Sequence, residues 1–157
     1  MHRFPRVMWI VCVAVGAIAI VVGATTYVVV SKTLRDQHIK VADDAPFLAG
    51  NDVTGPLTAY AQAIALSNHA KEIGGGRTYA ELPQDDPKRS SVMTADFLQA
   101  SLYTSVVAFG VAILIAVLGV MFLLLGLALR ELDRRTTAAE TRMQAPTTTN
   151  VASAPAT

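Results

Sequence analysis

The chain has 157 residues, 52% of them hydrophobic and only 16% charged, with a net charge of +1. Soluble domains carry about 25% charged residues, and a balance this close to neutral provides no general basic field for nucleic acid. The single cysteine, Cys12, excludes an internal disulfide and a multi-cysteine metal site.

The shortage of charge is concentrated in residues 7–30 and 102–129, neither of which contains a charged side chain. About 20 apolar residues span a hydrocarbon core about 30 Å thick. The expected fold is therefore an all-α membrane protein with two transmembrane helices. A largely helical extracytoplasmic segment, residues 31–101, joins them, and residues 1–6 and 130–157 are cytoplasmic.

Arg3 and Arg6 precede the first apolar run. A cleaved secretory signal would look similar, but its apolar core runs for about 7–15 residues. The small residues at 23–25 are followed at once by apolar residues 27–30, so an uncleaved helix is the stronger reading. Arg130, Arg134 and Arg135 follow the second run, whereas the connecting segment has seven Lys or Arg against nine Asp or Glu. The arginine bias places both termini in the cytoplasm and the chain in the plasma (inner) membrane, crossing twice. Trp9, Tyr27 and Tyr103 fall where interfacial aromatic belts are expected.

Each span carries a stripe of small residues. Cys12, Gly16, Ala19, Gly23 and Thr26 share one face of the first helix. Ser101, Ser105, Ala108, Ala112, Gly119 and Gly126 line the second. Helices in lipid associate by close packing rather than hydrophobic force, so Gly16, Ala19, Gly23, Ser105, Ala108, Ala112, Gly119 and Gly126 are the candidate helix-packing residues. The seven-residue glycine spacing suits a left-handed crossing. Pattern alone does not separate packing between the two spans from packing on a partner.

In the connecting segment, residues 41–56 read as turns and loop. Pro56 suits the first position of a helix. That helix runs to Ile73, with Leu57, Tyr60, Ala61, Ile64 and Ala65 expected on one face, and ends at Gly74, Gly75 and Gly76. Thr78 and Glu81 have capping-box spacing, which predicts a short helical turn. A helix restarts between Pro87 and Thr94 and runs into the second span. A segment this small rarely supplies more than about 3–5 kcal/mol from its own core, so it is expected to lean on the membrane surface or another protein. The tail begins as a polar helix and ends in QAPTTTNVASAPAT, whose composition predicts disorder.

Catalytic and cofactor residues are not evident. His2, His38 and His69 lie in no recognisable ligand pattern; His69 has Glu72 three residues on, and an exposed histidine is the plainer reading. Asp43–Asp44 and Asp85–Asp86 lack the spaced oxygen ligands that calcium needs. The run Gly74-Gly75-Gly76-Arg77-Thr78 lacks the lysine and spacing of a phosphate loop. Neither span contains an ionisable residue that would mark a proton or ion path.

The stretches DDAPFLAG (43–50), GPLTAYAQA (55–63), HA (69–70), GGRTYAEL (75–82) and FLQASLYTSVVAFGVA (97–112) resemble a family of small two-span actinobacterial membrane proteins. Members are often labelled aromatic ring-opening dioxygenase subunits. Such an enzyme needs two histidines and a carboxylate around iron with open positions, a set this chain does not supply. More specifically, the chain is similar to small accessory subunits of the mycobacterial cytochrome bcc–aa3 oxidase supercomplex. The resemblance implies a non-catalytic peripheral role. The chain would bind no cofactor, metal, nucleic acid or small-molecule substrate, and its partners would be integral membrane subunits and the lipid bilayer. A self-associating envelope protein without a respiratory link is the alternative reading.

Overall fold

The computed structural model describes residues 3–144 and is built from three helices: α1 (Arg3–Asp36), α2 (Pro56–Ile73) and α3 (Arg89–Gln144). The fold is all-α. Among the described residues the only extended pairing is an isolated antiparallel bridge between Lys40 and Asp52. Expectations for residues 1–2 and for the end of the tail, 145–157, lie outside the described residues.

Two of the helices are long and apolar enough to cross a membrane, over Val7–Asp36 and Arg89–Thr136. Only 11% and 17% of their most apolar windows are buried within the chain. A core helix of a soluble protein would be mostly buried; these leave residues such as Ile18, Val21, Val107 and Leu124 more than 60% exposed. The two apolar runs sit inside longer continuous helices. α1 extends to Asp36, where His38 takes a left-handed conformation (φ 51°) and donates its backbone N–H to Arg35 O at 3.0 Å. α3 starts at Arg89, one residue after the Lys88 N–H is taken by Asp86 Oδ1 at 2.8 Å.

α1 and α3 run antiparallel along their apolar runs, and α2 packs on α3 beside the ends that the connecting segment joins. About half of residues 31–101 is helical. The rest is ordered by backbone pairing: Val41 N–H donates to Asn51 O, and Val53 N–H to Ile39 O, both at 2.9 Å. This inserts Val41 and Val53 into a core with Leu34, Ala59, Ala61, Ala63, Leu102 and Phe109. The connecting segment thus leans on the outer ends of its own long helices. A second cluster, Ala70, Leu82, Val92 and Ala95 with Tyr79 against it, ties the 74–88 loop to α2 and α3.

One local expectation is corrected. The buried face of α2 is Ala59, Ala61, Gln62, Ala63, Ala65 and Ala70, while Leu57 is 67% exposed and Tyr60 43%. Alanines allow the close backbone approach to α3 that the larger side chains would block. At Thr78 a single turn forms, as expected: the Glu81 and Leu82 N–H groups donate to Thr78 O at 3.0 and 3.2 Å. Glu81 Oε2 accepts the Thr78 N–H at 2.8 Å, the carboxylate half of a capping box, and the Thr78 hydroxyl donates to the same oxygen at 3.0 Å. α2 ends as expected at the glycines, where Gly75 and Gly76 have φ of 63° and 85°, values that favour glycine.

Candidate functional site

The interface between α1 and α3 is a seam of backbone against backbone. A Cβ placed on Gly16 would lie 2.7 Å from Gly119 O, and one on Gly119 would lie 2.8 Å from Gly16 O. At Gly23 the nearest atom is Ala112 O, at 2.6 Å; at Gly126 it is a Val13 methyl at 2.7 Å, followed by Trp9 O at 3.1 Å. Real Cβ atoms need more room than this, so only glycine fits these four positions without movement. Each step of seven along α1 (Trp9, Gly16, Gly23) is matched by a step of seven back along α3 (Gly126, Gly119, Ala112). That register is the antiparallel form of a seven-residue seam.

Gly16, Gly23, Ala112, Gly119 and Gly126 therefore meet one another across the two helices. Cys12 is buried on the same side of α1. Ala19 and Ala108 are half-buried. Ser105 is also half-buried and lies nearer the outer end, where its hydroxyl donates to Ser101 O at 3.1 Å.

Aromatic contacts close the seam at both ends. At the end joined by the connecting segment Phe109 is fully buried and packs on Tyr27, with ring centroids 4.9 Å apart. At the opposite end the Arg130 guanidinium sits 5.4 Å from the Trp9 ring, a cation–π contact. Beyond Phe109 a row of rings continues across the surface. Phe47 lies 6.3 Å from Tyr60, which lies 6.1 Å from Tyr103, and all three are more than one-third exposed. Leu57, three residues before Tyr60 on α2, is 67% exposed, and Phe97 is 68% exposed on α3 beside Tyr79 and Met93.

A groove of about 550 Å³ opens between the end of α1, α2 and the start of the apolar run of α3. Its walls include Leu34, Leu66, Leu98 and Leu102, and its polar groups include Gln37, Gln62 and Ser101. Gln62 is the buried polar side chain of the described core, and its Oε1 accepts the Ala42 N–H at 2.8 Å.

His69 pairs with Asp44, Nε2 to Oδ2 at 2.8 Å, rather than with Glu72. Among the described residues no group of three or more His, Cys, Asp or Glu is placed to hold a metal ion. Arg89 reaches the Leu82 carbonyl and lies 4.1 Å from the Tyr79 ring, which fixes the loop between them. The glycine seam was readable as a seven-residue pattern. Gln62 and the groove were not, because the loop that pairs with Gln62 lies 20 residues away and has no periodicity.

The chain matches no family model, no curated protein and no solved structure.

Proposed function

We propose that this chain is a non-catalytic accessory or structural subunit of a larger membrane assembly. It crosses the plasma (inner) membrane twice, with both termini in the cytoplasm. The observation that carries the reading is the distribution of surface. The small-residue faces are consumed in the chain's own seam, while the Phe47, Tyr60 and Tyr103 rings with Leu57, and separately Phe97 on α3, stay uncovered outside it. An uncovered surface of this kind marks an interaction site. The arginines flanking the two apolar runs support the orientation.

The partner proposed is the respiratory cytochrome bcc–aa3 supercomplex, with this chain at its periphery and ligating no haem or copper. That choice rests on the resemblance of the stretches at 43–50, 55–63, 75–82 and 97–112. The test is affinity purification of the full chain from native membranes in mild detergent, read by a reduced-minus-oxidised haem spectrum and mass spectrometry. The expected result is haem a and b signals with oxidase subunits in stoichiometric amount. Phe97→Asp is expected to lower that recovery about tenfold or more, as for loss of a buried aromatic anchor. A colourless homo-oligomer would overturn the respiratory assignment and favour the self-associating envelope protein.

A further inference from the structure

We propose that the groove between the outer ends of the three helices binds the ester-linked glycerol region of a membrane lipid, with Gln62 Nε2 donating to an ester carbonyl. This rests on the reading that the chain spans the membrane.

The argument starts with Gln62, which is only 9% exposed. Its Oε1 is fixed by the Ala42 N–H, which also settles which end of the amide is oxygen. The carboxamide is planar, so its NH₂ projects away from Ala42. Among the described residues no fully buried side-chain nitrogen or oxygen lacks a partner. Gln62 lines the groove, and its NH₂ makes no hydrogen bond within the described chain, so these donors open onto the groove. They require an acceptor there.

Of the neighbouring hydroxyls, Thr33 donates to Val29 O at 2.9 Å and Ser105 to Ser101 O at 3.1 Å, each within its own helix; Gln37 and the Ser101 side chain line the groove from exposed positions. None of the groove's lining residues is charged, so an anion such as free phosphate has no cation to hold it. The apolar walls are leucine and isoleucine. A ligand matching both parts carries a neutral acceptor next to a hydrocarbon chain, and an ester carbonyl at the head of an acyl chain is that arrangement.

The position agrees. On α1 the groove begins at Thr33, one residue past Lys32, the first charge after the apolar run. On α3 it covers Leu98 to Ser105, just past Asp96, the last charge before the apolar run. The groove thus straddles the edge of the hydrocarbon, where lipid esters lie. Its volume falls in the range of small-molecule sites, about 300–1,000 Å³.

The experiment uses the full chain in phosphatidylcholine vesicles containing a phosphatidylcholine with a diazirine beside the ester carbonyl. Photolysis and mass spectrometry map the adducts. The expected result is concentration of adducts on 33–39 and 98–105. The yield there should fall about fivefold in Gln62→Leu, as loss of one net hydrogen bond implies. It should fall at least as far in Ser101→Phe, which fills the groove from an exposed position. Unchanged yields in both variants would overturn the proposal. A second lipid with its diazirine at the chain terminus should label 111–118 in all variants. Labelling there without enrichment at the groove would sink the lipid site alone, and no labelling there would remove the membrane reading and the site together.

Discussion

Glu81 shows how one side chain sets a local turn. Hydrogen bonds from the Thr78 backbone N–H and hydroxyl hold its carboxyl below the ordinary carboxylate value. A lowered folded pKa contributes stability above the unfolded value, and that contribution is lost as pH falls through the folded one. The 78–82 turn is therefore expected to loosen at acidic pH, seen as faster exchange of the Leu82 amide, which donates to Thr78 O. Thr78→Ala keeps the backbone N–H, the larger cause, and removes the hydroxyl, so it should raise the Glu81 pKa part of the way in a carboxyl NMR titration; an unmoved titration would refute the hydroxyl's share. The spacing of Thr78 and Glu81 announced their pairing but not its outcome. The carboxylate half of the box forms, with the Thr78 N–H on Glu81 Oε2, while the Thr78 hydroxyl turns to donate to that same oxygen. The partner of His69 was not legible for a related reason: Asp44 comes from a loop 25 residues earlier, which local spacing does not contain.

At the scale of elements, the seam between α1 and α3 makes the sharpest claim. Gly16→Leu or Gly119→Leu must push the helices apart, because backbone atoms and not flexible side-chain ends lie nearest. Overpacking of this kind costs about 1–3 kcal/mol. Cys12, the only cysteine and buried beside the seam, reports it: its labelling by a membrane-permeant maleimide should accelerate about tenfold or more. Gly110 is the control, since nothing lies within 4 Å of a Cβ there, and Gly110→Leu should leave the rate unchanged. Equal acceleration in all three variants would refute the seam. The helices themselves were legible because charge-free runs of this length have few alternatives and Pro56 and the glycine run punctuate α2. The buried side of α2 was not legible. Hydrophobicity ranks Leu57 and Tyr60 above alanine, but the spacing to α3 selects for size.

At the scale of the whole molecule, the seam and the outer core are one structure joined at Phe109. This ring is fully buried, touches Tyr27 of α1, and belongs to the cluster that holds Val41, Val53 and the alanines of α2. Phe109→Ala should cost about 3–5 kcal/mol. The loss should be felt outside the seam, as faster amide exchange across Ala59–Ala63 and easier proteolysis of the 39–53 loop. Protection unchanged in that loop would show that the outer core stands without the ring.

α3 is a single unbroken helix of 56 residues, about 84 Å long at 1.5 Å per residue. Its first third is clasped by α2 and the loops, and its last quarter, the 14 residues after Arg130, continues past the Trp9 contact. Such a rod works as a lever. A tilt of about 5° imposed on the outer end swings the far end by about 7 Å, so whatever grips the head also sets where the chain emerges on the opposite side.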